Sequence, residues 1–143
     1  MQLTENFTLE ELTHSSVAQT HKIDNAPTPE HIANLQRLCN DILQPIRNAW
    51  KKPIAVTSGF RCKQVNDIVK GSKTSQHLNG EAVDIVTCNY SNDKLFEKIK
   101  KMIEQGEITV GQLIWEKDLQ NKPLWIHISL PTKNKKNEIL YLK

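Results

Sequence analysis

Three short stretches hold the residues whose types and spacing could do chemistry: Ser75-Gln76-His77-Leu78-Asn79-Gly80, Ala82-Val83-Asp84-Ile85-Val86 and Leu124-Trp125-Ile126-His127-Ile128-Ser129-Leu130. Asp84 stands in the middle of an apolar run. A charge there is costly unless it is paired, hydrogen-bonded or bound to a metal. His77 precedes it by seven positions, in a polar loop whose Gly80 can bend the chain into the strand, and His127 lies in the third stretch. Two imidazoles and one carboxylate form a donor set suited to Zn²⁺, and three protein ligands with a fourth position left for water is the pattern of catalytic zinc. His77, Asp84 and His127 are therefore candidate ligands. Spacing alone leaves structural readings open: a histidine in a sheet can be a hydrogen-bonded structural residue, and a buried aspartate can cap backbone amides. His14, His21 and His31 are the other histidines, and all three are expected at the solvent surface.

The elements that must position these groups follow from periodicity. Alternation puts Leu124, Ile126, Ile128 and Leu130 on one strand face, which is core, and Trp125, His127 and Ser129 on the other. In the segment 112–116, Leu113 and Trp115 oppose Gln112, Ile114 and Glu116. If the two strands form a hairpin, only a register pairing odd positions with even ones sets Leu113 and Trp115 beside Ile126 and Ile128. That register also brings Glu116 to the side of Trp125 and His127, so a carboxylate is expected near an imidazole.

Earlier in the chain, Thr8 and Glu11 have the spacing of a capping box, and a polar irregular segment runs on to Asn25. Thr28-Pro29-Glu30 opens the strongest helix, carried by Ile32, Leu35, Leu38, Ile42 and Ile46 and interrupted near its end by Pro45. Ile54 to Thr57 predicts a short buried strand, 63–69 a short helix ending at a left-handed Gly71, and 82–86 a further strand. Asn92 is expected to cap a helix carrying Leu95, Phe96, Ile99 and Ile103, with Gly106 beyond its end. Strands over 112–116 and 124–130 flank a polar loop with Lys117, Asp118, Asn121 and Pro123. Helices followed by an antiparallel sheet make an α+β fold.

A length of 143 residues, with 38% hydrophobic and 24% charged residues, fits one soluble globular domain over 1–143. A net charge of +3 is too small to imply nucleic acid, and Lys133-Asn134-Lys135-Lys136, with no aromatic pattern beside it, reads as a solvated turn. There is no apolar run long enough for a membrane span. The start, Met1-Gln2-Leu3-Thr4-Glu5-Asn6, has no basic or apolar signal region, so a cytoplasmic location is expected. Cys39, Cys62 and Cys88 are odd in number and widely spaced, and are expected to be reduced and packed.

Taken in order, Thr57-Ser58-Gly59-Phe60-Arg61, Ser75 through Ile85, and Trp125-Ile126-His127-Ile128-Ser129 resemble the zinc D-alanyl-D-alanine carboxypeptidases, peptidase family M15. The shared features are a Ser-Gly-aromatic-Arg turn, a His-x(6)-Asp pair and a Trp-x-His strand. Phe7-Thr8-Leu9-Glu10-Glu11-Leu12 and Asn34-Leu35-Gln36-Arg37-Leu38 are similar to the helical start of a short phage and bacterial branch, and the resemblance spans roughly residues 6–130. It implies a Hedgehog/DD-peptidase-like fold, helices on a small antiparallel sheet, with His77, Asp84 and His127 as zinc ligands and Arg61 as the arginine for substrate and transition state.

One departure concerns the catalytic base. Many members carry a Glu three residues before the last His ligand or a second His two before it, and Leu124 and Trp125 stand there in this chain. Glu116 is the replacement expected, because the register puts it on the site face and the short branch is similar in its Gln-Leu-Ile-x-Glu strand. Glu81 points away from Asp84 by parity, and Asp118 lies in the loop. Ser75, Gln112 and Trp125 join Arg61 as substrate-binding candidates. The function implied is a monomeric zinc metallopeptidase cutting peptidoglycan stem peptides, as a D-Ala-D-Ala carboxypeptidase or an endopeptidase, and meeting the cell wall or periplasm after release. The alternative is a non-catalytic zinc-dependent binding module of the same fold.

Overall fold

A computed structural model describes residues 1–117 and 123–142. The chain begins with a small antiparallel ribbon, β1 (Gln2–Thr4) with β2 (Phe7–Thr8), which leads into α1 (Leu9–Thr13). Thr8 and Glu11 close the capping box that their spacing predicts. The segment read as irregular contains one more helical turn, α2 (Ser16–Thr20), capped by the Ser15 hydroxyl.

The long helix divides into α3 (Pro29–Leu38), a π-helical turn (Cys39–Leu43) and α4 (Gln44–Trp50). Pro45 sits in the first turn of α4. It lacks an amide proton, and its ring crowds the carbonyl four residues back. The wider turn just before it accommodates both conflicts, so the expected interruption takes the form of a π turn. His31 departs from its expected exposure. Its Nδ1 accepts the Thr28 amide at 3.1 Å, the Thr28 hydroxyl accepts the His31 amide, and its ring lies 4.4 Å from that of Phe60. The imidazole thus does the job of the Glu or Gln of a capping box. His14 and His21 are exposed.

Five strands form the main sheet, in the order β3 (Ile54–Ser58), β4 (Ala82–Thr87), β6 (Pro123–Ser129), β5 (Gln112–Lys117), β7 (Glu138–Leu142). The first four are antiparallel, as expected. β7 adds itself parallel to β5, so the α+β fold has a mixed sheet with one parallel edge. β3 and β4 come before α6 (Asn92–Glu104), in the order their sequence signals predict, so strands and helices interleave and the sheet does not simply follow the helices. Leu113 pairs with Ile128, Trp115 with Ile126 and Glu116 with Trp125, the register that apolar matching requires.

Val83, Ile85, Leu113, Ile126 and Ile128 are buried on one sheet face, against Leu35, Leu38, Ile42 and Ile46 of α3 to α4 and Leu95, Phe96 and Ile99 of α6. Leu124 shares that parity but is 48% exposed, because it stands at the outer end of β6. Two caps differ from expectation. Ser91 is the N-cap of α6, and the Asn92 side-chain Oδ1 accepts the Thr87 amide instead. After α5 (Lys63–Ile68) the left-handed residue is Lys70, φ 58°, while a side chain at Gly71 would collide with Asn66. Among the described residues no helix is long and apolar enough to cross a membrane.

Candidate metal centre and active site

The opposite sheet face carries the polar groups. Asp84 and His127 are register partners on β4 and β6, and His127 Nδ1 lies 2.9 Å from Asp84 Oδ1. His77 comes from a 3-10 turn (Gln76–Asn79) that runs through Gly80 into β4, and its Nε2 lies 3.3 Å from the same oxygen. Gly80 has φ 74°, a left-handed conformation that glycine adopts without strain. The His77 ring is buried and donates from Nδ1 to the Gly59 carbonyl at 2.7 Å. That bond orients the ring so that Nε2 is the nitrogen turned towards Asp84.

The Gly59 carbonyl is placed by a bulge. β3 pairs regularly with β4 as far as Val56, then Thr57 is the extra residue and Ser58 comes opposite Asp84. The next residues turn onto α1, where the Phe60 amide donates to the Leu12 carbonyl at 2.7 Å. A Cβ at Gly59 would sit 2.1 Å from that carbonyl oxygen, so only glycine fits. Asn25 then clamps the turn. Its amide nitrogen donates to the Thr13 and Phe60 carbonyls at 2.9 and 3.1 Å, and its oxygen accepts the Cys62 amide at 2.8 Å. These bonds hold the peptides on both sides of Arg61, whose own amide donates to the His77 carbonyl.

The donor set fits a tetrahedral ion. One ligand atom from each of His77, Asp84 and His127 lies within 4.8 Å of the others. Two ligands about 2.0–2.2 Å from a tetrahedral centre are themselves about 3.3 Å apart, close to the 3.3 and 2.9 Å separations seen here. Burial works against ionisation of Asp84, yet the hydrogen bonds and charges of His127 and His77 hold its carboxyl well below the usual range. The group is deprotonated, as a carboxyl that binds a metal must be.

A cavity of about 460 Å³ opens over this cluster, walled by Arg61, Gln112, Glu116 and Trp125. Burial and the charge of Asp84 raise the Glu116 carboxyl above its ordinary range, against the opposing pull of His127 and His77. Burial makes the Arg61 guanidinium easier to deprotonate, while Asp84 opposes this. Its Nε is buried with no hydrogen-bond partner among the described residues. Ser75 also borders the cavity, but its hydroxyl accepts the His77 amide and so caps the turn that carries the histidine. The Gln112 side chain donates to Glu138 at 3.4 Å. Glu81 does not line the cavity among the described residues, and Asp118 lies outside them.

A second lobe of about 280 Å³ shares Arg61, Asp84, Val69 and Trp125 with the first and is otherwise bounded by residues such as Val17 of α2, Thr57 of β3, Val65 of α5 and Phe60 of the turn after β3. The two lobes therefore meet beside Asp84, while His77 and His127 border the larger one. Sequence reasoning missed Asn25 and the Gly59 carbonyl. Only the Ser58-Gly59 turn signalled the second, and nothing local signalled the first.

An α+β domain with a His-Asp-His cluster in an open groove has the parts of a hydrolase. Residues 5–128 match the sequence model described as Peptidase M15, and the chain belongs to that peptidase family. No curated protein sequence matches it.

Proposed function

We propose that the protein is a zinc-dependent peptidase that hydrolyses peptide bonds in the stem peptides of bacterial peptidoglycan, with residues 1–143 as one catalytic domain and the cell wall as its site of action. The observation that carries this reading is the meeting of His77, Asp84 and His127 at the floor of a groove that also presents Glu116 and Arg61. His77 Nε2, an Asp84 carboxylate oxygen and a His127 ring nitrogen would hold the ion. When bound, zinc supplies an acidified water and a Lewis acid for the scissile carbonyl.

The rest of the work falls to side chains. Glu116, as a carboxylate, takes the proton of the attacking water and passes it to the leaving amine. Its elevated proton affinity suits both halves of that transfer. Arg61, with an unsatisfied Nε and no carboxylate bonded to it among the described residues, holds a substrate carboxylate or the developing oxyanion. Trp125 forms a wall common to both lobes and positions the peptide between them.

The test is mass spectrometry of products from purified muropeptides. The zinc-loaded protein is expected to release a defined fragment, and Glu116→Gln to bind zinc equally while releasing almost none. Stoichiometric zinc with no hydrolysis of any cell-wall fragment by the wild type would instead assign a binding module.

A further inference from the structure

The three lysines near the C-terminus are not equivalent. Lys133 and Lys136 are exposed, whereas Lys135 is half-buried and lines the larger lobe of the groove. Its turn is closed on itself: the Thr132 amide donates to the Lys135 carbonyl at 2.9 Å, and the Lys135 amide donates to the Thr132 hydroxyl at 3.1 Å. Asn137 locks the turn to the start of β5, donating its amide to the Val110 carbonyl at 2.6 Å and accepting the Val110 amide at 2.9 Å. A lysine held at a cavity wall loses hydration and side-chain entropy, a cost that an anionic partner offsets. Among the described residues no carboxylate forms an ion pair with it.

The charges around this lobe point the same way. Its carboxylates are Asp84, already spanned by two imidazoles, and Glu116. Its cations are Arg61, Lys70 and Lys135, spread over three segments of the chain. Glu116 lies in the same lobe, so the fragment that leaves with its protonated amine departs through it. Lys135 also lies beyond the span 5–128 matched by the family, so its role belongs to this chain's own C-terminal strand and turn.

We propose that Lys135 is a specificity-determining residue that binds a carboxylate of the leaving fragment. This rests on the reading that stem peptides occupy the groove. The carboxylate has two sources, the C-terminus of a released D-alanine or the free α-carboxylate of an internal γ-linked D-glutamate, and the recognition chemistry is the same for both.

The leaving fragments themselves bind without being turned over, which separates recognition from catalysis. NMR titration of the zinc-loaded protein with D-alanine and D-alaninamide tests the first source, and with γ-D-glutamyl-L-lysine and its α-amide the second. In at least one pair the carboxylate form is expected to bind roughly tenfold more tightly, the size of a charge-assisted hydrogen bond. Lys135→Gln should erase that preference, Lys135→Arg should keep most of it, and Lys136→Gln should leave it unchanged. Equal binding of acid and amide in both pairs, or a preference that survives Lys135→Gln, overturns the proposal. Hydrolysis of the parent muropeptides is followed in parallel. Lys135-dependent binding without cleavage would sink the peptidase reading and leave the carboxylate site standing, while cleavage with Lys135-independent binding would do the reverse.

Discussion

On one face of β4 and β6, Val83, Ile85, Ile126 and Ile128 are wholly buried under α3, α4 and α6. One residue along the same strands, Asp84 and His127 face a groove and meet each other at 2.9 Å. The backbone is identical on the two sides, and the difference lies in what satisfies each face. The apolar face is held by area removed from water, with about 1.5–3 kcal/mol from each large side chain fully buried. The polar face is held by mutual pairing, in which each group is tolerable only because the next one is present. Stability and chemistry are thereby assigned to opposite sides of one sheet.

That division can be broken from either side. The largest effect is expected from Glu116→Gln, which keeps shape and removes the carboxylate proposed as proton acceptor: kcat should fall about 10²–10⁴-fold while the melting temperature and zinc content stay unchanged. Ile128→Ala attacks the other face and should cost about 2–5 kcal/mol of stability, read by urea unfolding, with kcat/KM of the folded protein altered far less. Comparable losses of activity from both variants would mean that the faces are not separate. Asn25→Ala falls between them. It removes three hydrogen bonds around Arg61 and should cost roughly 1–3 kcal/mol. As a positioning residue it should also raise KM well below the melting temperature, and that rise should vanish in an Arg61→Ala background, a non-additivity that a purely structural role would not produce. The smallest effect concerns Cys39. Burial, with the nearby charge of Glu11, pushes its thiol up to about 12, so a thiol reagent at neutral pH should reach Cys62 and Cys88 in the native protein and Cys39 only after unfolding.

Much of this was legible in the sequence, where a short-range pattern is tied to a face. Period-two alternation in 82–86 and 124–130 separates core from site, and matching Leu113 and Trp115 to Ile126 and Ile128 fixes the register that delivers Glu116. The parts that were not legible depend on contacts distant in the chain. Asn25 acts on Phe60 and Cys62 through its side chain, with no signal in the residues beside it. His31 stands in for an acidic capping residue, a substitution that spacing alone does not reveal. β7 is short and half-exposed, and its parallel pairing with β5 turns a lysine from what reads as a solvated turn toward the groove. Leu124 shows the converse: parity gives it a face, but not whether a helix covers that end of the strand.

The central claim, that His77, Asp84 and His127 hold one zinc ion for hydrolysis, is tested most directly by equilibrium dialysis against buffered zinc with metal quantified by mass spectrometry. The wild type is expected to bind one zinc per chain, and Asp84→Ala and His77→Ala, each still folded by circular dichroism, to lose it together with muropeptide hydrolysis. A folded wild-type protein without stoichiometric zinc, or a His77→Ala variant with full zinc and full activity, would contradict it.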